Sequence, residues 1–227
     1  MKPWQRQQWC IPSVGAEFVW RMEDVLDLYA QDYDPDYPQV CFDEMPYQLI
    51  KEKRTPIPAK AGIPQRYDYE YERAGTRNLF MFFEPHTGWR HVEVTVRRTK
   101  EDFAQQMKAL VDEYYPKAKK IRLVLDNLNT HTPAALYETF CAQEARRILK
   151  KLELHYTPKH ASWLNMVEAE FAVLANQCVG DRRIGEEEIL KSETAAWERG
   201  RNERRAKVEW RFGVKDAREK LERLYPS

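Results

Sequence analysis

Residues 152–178 read LELHYTPKHASWLNMVEAEFAVLANQC, and this stretch decides the fold. Leu152, Leu154 and Tyr156 alternate with Glu153 and His155, the period of a half-buried strand. Thr157, Pro158, Lys159 and His160 form a polar turn. Beyond it Val167, Phe171, Leu174 and Cys178 recur at three- and four-residue steps, which predicts a helix with one apolar face. Asn165 stands at the expected N-cap, with Glu168 one turn inside. Asn-x-x-Glu ahead of an apolar helix is a capping box, in which the glutamate turns back to the N-cap amide. In the competing reading the same carboxylate, next to the apolar face and near the positive end of the helix, binds a metal. Two aspartates elsewhere favour the second.

Working outward from this stretch, residues 120–126, KIRLVLD, predict a strand that ends in Asp126, with Asn127 and His131 following. A helix from about Thr132 through PAALYETFCAQEARRILKK, bent near Cys141, links it to the 152–156 strand. Val40, Cys41 and Phe42 form a short buried strand that runs into Asp43 and Glu44. An ionised aspartate at the end of an apolar run is costly to bury unless a cation or a donor meets it. Residues 78–84 and 90–97 are strands joined by the Pro85–Gly88 turn, an antiparallel hairpin. Amphipathic helices are predicted over 17–30 and over 100–115, the second stopped by Pro116.

Residues 51–75 are Pro-rich and basic, then Tyr-rich, and read as a long loop of the kind that is more often functional than idle. After Gly180 the chain is mostly charged helix, with Asp216 a candidate cap near the end. The whole order predicts an α/β fold, a mixed sheet flanked by helices. The first and fourth strands both carry Asp near their ends, so they are expected to be neighbours.

The chain has 227 residues, 43% of them hydrophobic, enough for a sizeable core. Its formal net charge of +1 makes no case for nucleic acid by itself. The distribution says more. Residues 51–66 carry five bases against one acid, and residues 197–227 carry ten against six. Two basic patches on a neutral chain can line a phosphate-binding groove, although any one of them is also what a solvated face looks like. Lys51, Lys53, Arg54 and Lys60 in the loop, with Arg201, Arg204, Arg205 and Arg211 near the end, are the candidate phosphate contacts. Trp197 and Trp210 read as core rather than as base-stacking residues. Cys10, Cys41, Cys141 and Cys178 show neither metal nor disulfide spacing, as in a reducing compartment. No apolar run is long enough to span a membrane, and the N-terminus lacks a signal-peptide core. The expectation is a cytoplasmic protein.

Asp43, Asp126 and Glu168 lie on separate elements that such a fold can gather. Clustered carboxylates suit hard divalent cations, Mg²⁺ above all, which retain water for a substrate phosphate. Two such ions can activate an attacking oxygen and stabilise a leaving one in phosphoryl displacement. Glu44 is expected on the opposite face of its strand from Asp43, and Glu170 on the opposite side of its helix from Glu168. No Gly-rich phosphate loop, zinc spacing or HExxH supports an NTPase or zinc protease.

FDE after one buried strand, LDNLNTH after another, and YTPKHASWLNMVE leading into a helix together resemble the DDE transposases of the mariner-like superfamily, in its insertion-sequence-630 branch. The resemblance runs from about Val40 to Ile184. It implies a ribonuclease-H-like fold, two Mg²⁺ or Mn²⁺ ions, cleavage at transposon ends and strand transfer into target DNA, usually by a homodimer. By motif, Asp43, Asp126 and Glu168 are the catalytic and metal-binding acids. Asn127 and His131 complete the second motif, either positioning its loop or touching DNA, and for His131 an ordinary polar residue near a helix start is an equal reading. Trp163, Leu164 and Asn165 match the turn that sets the angle of the glutamate helix. The 41 residues between Asp126 and Glu168 exceed the usual spacing, with the extra length in the Tyr137–Lys151 helix.

Relatives carry helix-turn-helix domains before the catalytic part, whereas this chain is expected to hold a lead-in and helix over 1–38, the catalytic domain over 39–184 and a basic helical tail over 185–227. A separately encoded DNA-binding half would then be a partner. An inactive remnant that only binds nucleic acid, and a ribonuclease-H-like nuclease, are the alternatives.

Overall fold

The computed structural model describes residues 15–180 and 182–226. Cys10 and most of the expected N-terminal lead-in fall outside the described residues. Five strands form one sheet in the order β3-β2-β1-β4-β5: β1 Gln39–Glu52, β2 Tyr71–Glu84, β3 Trp89–Thr95, β4 Ile121–Leu125 and β5 Leu152–Tyr156. β1, β2 and β3 are antiparallel neighbours, while β4 and β5 run parallel to β1. The expected adjacency of the first and fourth strands is therefore met.

The apolar residues of the strands divide between two layers. Cys41, Met81, Phe83 and Val124 pack with residues of α1 (Ala16–Tyr29) and α5 (Val167–Leu174). Val40, Phe42, Phe80, Phe82, Leu123 and Leu125 pack on the other side with α2 (Lys100–Ala109), α3 (Pro133–Thr139) and α4 (Ala142–Lys151). This alternation of faces is what a buried strand imposes, and it sends Asp43 toward the α1/α5 layer and Glu44 toward the α2/α3 layer.

Several expected boundaries move. β1 continues eight residues beyond Glu44, to Glu52, and β2 begins at Tyr71, so the expected 51–75 loop is confined to residues 53–70. β4 stops at Leu125, which leaves one edge of β1 open beyond Asp43, and Pro46, with no N–H to offer, is tolerated there. The helix expected to bend near Cys141 is two helices, because Phe140 and Cys141 are extended. α2 has its cap at Thr99, in a reciprocal box with Asp102, and gives way to a wider π turn over Leu110–Tyr114.

The residues after 185 share the core of the sheet. Leu190 of α6 (Glu187–Glu203) and Ala217 of α7 (Val214–Lys220) belong to the same buried cluster as Val25 and Leu26 of α1. α6 lies along β3, where Asn202 accepts from the Arg90 amide (2.9 Å) and donates to its carbonyl (2.8 Å). Arg90 is fully buried and pairs with the equally buried Glu170 of α5 at 2.9 Å, while Arg201 approaches Glu170 from α6 at 2.5 Å. On the same helix Glu198 holds the Val92 amide (2.9 Å) and His91 (3.3 Å).

Two consequences are measurable. Removing one partner of a buried ion pair strands the other charge, so Glu170→Ala is expected to cost about 3–5 kcal/mol in urea unfolding, while Arg211→Ala, exposed beside Glu209, changes it by less than about 1 kcal/mol. The second concerns pH. Burial works to lower the His91 pKa, but Glu198 and Glu93 outweigh it and hold His91 up at about 9. A raised histidine stabilises fully below its unfolded value near 6.5, and the contribution is lost as pH climbs through 9. Wild type is expected to lose on the order of 1–3 kcal/mol more than His91→Gln across that window, which paired melting curves at either end would detect.

Candidate active site

β1 and β4 run parallel with Gln39, Val40 and Cys41 opposite Arg122, Leu123 and Val124. Two more residues along the same register set Asp43 opposite Asp126, which directly follows β4. Asp43 is 8% exposed, and its Oδ1 accepts from the Glu44 amide at 2.8 Å. Burial, followed by the nearby Asp126 carboxylate, pushes the Asp43 carboxyl up to about 7, with Glu44 and Glu168 adding to the repulsion. The acids expected from sequence are thus close enough to feel one another.

Glu168 lies in the first turn of α5 and is exposed. The cap expected at Asn165 is not what forms: the N-cap is Met166, and no side chain caps the helix. Asn165 is buried and donates from Nδ2 to the Phe42 carbonyl at 2.9 Å. That bond ties the start of α5 to the residue immediately before Asp43. Asn165 is therefore a positioning residue, and Glu168 is left with its carboxylate toward solvent. Tyr29 of α1 supports the same turn by donating to the Leu164 carbonyl at 2.8 Å, with its oxygen 3.4 Å from Cys41 Sγ. Trp163 is 45% exposed and stacks on Trp210 with centroids 6.4 Å apart, so it meets the C-terminal segment.

His131 is 1% exposed, which removes the reading of an ordinary polar residue at a helix start. Nδ1 lies 2.5 Å from Asp126 Oδ1, and Nε2 lies 3.0 Å from Glu44 Oε2. Its ring packs on Phe42 and Phe103. Burial opposes protonation, yet Asp126 and Glu44 together raise His131 to about 9. Glu44 lies outside the three acids to which the sequence points. It does face away from Asp43, and on that far side it holds the histidine that holds Asp126. The signal was present: an acid buried on the apolar face of a strand requires a partner, and the motif's His131 is one. Asn127 is exposed at the mouth of the site.

The donor set is all oxygen, as a hard divalent ion requires, and the crowding of negative charge on Asp43 is what such an ion would relieve. Among the described residues no three His, Cys, Asp or Glu side chains are gathered closely enough to hold a metal ion. One Asp126 oxygen is turned to His131, and Glu168 stands in solvent.

The candidate phosphate contacts do not form one groove. Lys51 and the 53–60 segment extend from the far end of β1, where Lys53 faces Glu70 (3.5 Å) and Arg54 faces Asp68 (3.2 Å). Arg204 and Arg205 follow α6, and the Arg205 backbone packs on Gly88 in the β2–β3 turn, at the opposite end of the sheet. Gly88 has φ +73°, and any Cβ there would lie 2.6 Å from the Arg205 carbonyl carbon. Arg201 is committed to Glu170. Arg211 adjoins Trp210, which stacks on Trp163 of the turn ahead of Glu168. As expected, Trp197 and Trp210 pack against the core.

No curated protein matches this sequence. Among solved structures, the Mos1 mariner paired-end complex with Mn aligns with a TM-score of 0.58 at 15% identity, over 96% of this chain and 64% of that one. The Mos1 transposase paired-end complex with left transposon end gives 0.58 at 16%, over 96% and 63%, and the Mos1 strand transfer complex gives 0.57 at 16%, over 96% and 64%. This chain thus spans less than two thirds of those chains, and the likeness establishes the shared ribonuclease-H-like fold. Among the described residues no helix is long and apolar enough to cross a membrane. The sequence profile of the DDE superfamily endonucleases matches residues 38–191, from the strand that carries Asp43 to beyond the helix that carries Glu168, and the chain belongs to that family.

Proposed function

We propose that this chain is the catalytic domain of a transposase of the insertion-sequence-630 type, which cuts DNA at transposon ends and transfers the strand into target DNA. The observation that carries the reading is the juxtaposition of Asp43 and Asp126 across β1 and β4, with Glu168 on a helix that Asn165 ties to Phe42. Asp43, Asp126 and Glu168 would hold two Mg²⁺ or Mn²⁺ ions, which when bound supply an activated oxygen nucleophile and stabilise the leaving oxygen. The protein's own part is positional. β1 and β4 hold the two aspartates in register. The Glu44–His131 pair sets the direction of Asp126 and fixes which of its oxygens stays available. Asn165 fixes where α5 begins, and so where Glu168 reaches.

The Mos1 structures are described as complexes with transposon ends, in the presence of Mn or Mg. By analogy we assign this chain the same class of partners: transposon-end and target DNA, a second copy of itself, and a DNA-reading domain in cis or in trans. The exposed arm cations Lys51, Lys53, Arg54 and Lys60, with Arg204, Arg205 and Arg211, are assigned to DNA phosphates outside the catalytic centre.

The deciding experiment is Mn²⁺-dependent nicking of duplex DNA carrying the element's own ends. Wild type is expected to nick and Asp126→Asn to fall to background; equal nicking by both would remove the reading. Because ligand-orienting partners typically contribute about 10–100-fold, His131→Gln is expected to raise the Mn²⁺ concentration for half-maximal nicking by roughly tenfold. An unchanged metal requirement would show that His131 does not orient Asp126. A strong preference for RNA–DNA hybrid over duplex DNA would point to the nuclease alternative.

A further inference from the structure

Beside the catalytic loop lies a cavity of about 460 Å³, between the start of α1 and the loops that follow β4 and β5. Glu17, Phe18, Arg21, Asn127, Lys159 and His160 line it. We propose that it is a phosphate subsite for the DNA strand that enters the active site, with Arg21 as the principal ligand. The proposal rests on the transposase reading above and adds a contact that the sequence motifs do not contain.

Arg21 carries the argument. Its side chain is 19% exposed, and one nitrogen, Nη2, pairs with Glu17 at 2.9 Å. Nε and Nη1 are buried and have no hydrogen-bond partner. Buried donors are almost always satisfied, and one left without an acceptor costs folding free energy. The guanidinium carbon lies 5.8 Å from the Trp20 ring centroid and 5.9 Å from that of Tyr156, contacts that use none of its N–H groups. Nη2, which exposed Glu17 holds, is the donor that an arriving phosphate oxygen takes over, giving the otherwise unsatisfied guanidinium a stronger anionic partner.

The other walls agree. Lys159 and His160 add cationic or protonatable groups from the turn that leads to Glu168. His160 has φ +64°, a left-handed conformation that few residues other than glycine adopt. Such strain persists where the surrounding structure imposes it and gathers at functional sites. Asn127 directly follows Asp126, so an anion in the cavity sits on the path to the catalytic acids. Among the described lining residues Glu17 is the one opposing charge. It is 76% exposed and free to swing away, so it acts as a stand-in anion that an arriving phosphate displaces.

This displacement predicts effects of opposite sign, which a purely structural role for Arg21 would not produce. The measurement is fluorescence anisotropy of a fluorescein-labelled DNA duplex in EDTA over a series of salt concentrations, independent of metal and of cleavage. Arg21→Gln is expected to weaken binding roughly tenfold and to flatten the salt slope by about 1. Glu17→Gln, at an exposed position, is expected to tighten binding about two- to fivefold, and to have no effect once Arg21→Gln is present. An unchanged salt slope in Arg21→Gln, or a Glu17→Gln effect that survives without Arg21, overturns the proposal. Thermal unfolding of Arg21→Gln identifies a folding defect, and in that case the sign of the Glu17→Gln effect decides. The two readings fail separately. Asp126-dependent nicking with an unaltered Arg21→Gln slope removes only the subsite, whereas Asp126-independent nicking removes the transposase reading and leaves the anion site standing.

Discussion

The buried pair of Arg90 and Glu170 constrains more of this molecule than any other contact. A guanidinium and a carboxylate with essentially no solvent exposure survive only if each stays against the other. Arg90 sits on β3 and Glu170 on α5, while Asn202 and Arg201 of α6 close the cluster from a third side. Helix α5 consequently cannot turn about its axis without stranding a charge. Glu168, two residues earlier, is thereby turned to the other side of the helix, within electrostatic reach of Asp43.

Electrostatic tension at the centre has a complementary logic. Asp43 is pushed up by burial and by neighbouring acids. The fold answers part of this on the far face of β1, where His131 is held between Asp126 and Glu44. Adjacent residues of one strand thereby serve one site from two faces. Asp43 faces it directly, and Glu44 acts through a histidine. Asn165 supplies the remaining tie, since the bond to the Phe42 carbonyl couples the helix to the strand within one residue of Asp43.

The same chain shows how a local pattern misleads when tertiary partners compete for its groups. Asn165 and Glu168 have the spacing of a capping box, but the Phe42 carbonyl takes the asparagine amide, and the helix starts a residue later. The C-terminal segment reads as a solvated basic tail. Yet Leu190 and Ala217 join the core, and Arg201 is drawn in by Glu170. The last residues of the expected loop, from Tyr71 onward, pair as a strand, because β1 outruns β4 and leaves β2 to follow it outward.

The sequence by itself determined the elements whose periodicity is local: the hairpin of β2 and β3, the β4 and β5 strands, and the apolar face of Val167, Phe171, Leu174 and Cys178. It also offered Asp43 and Asp126 as candidates, because a carboxylate ending an apolar run is conspicuous in one dimension, and Glu168 from its place one turn inside a predicted helix. Only the tertiary structure decided which charged groups are spent on one another. Arg201 went to Glu170, Glu44 to His131 and Asn165 to a backbone carbonyl, while Arg21 reached Glu17 through one nitrogen and kept two buried ones without a partner. The reason is physical: a buried charge or amide takes whichever partner the packing of distant segments brings within about 3 Å, and that partner has no fixed place in the sequence.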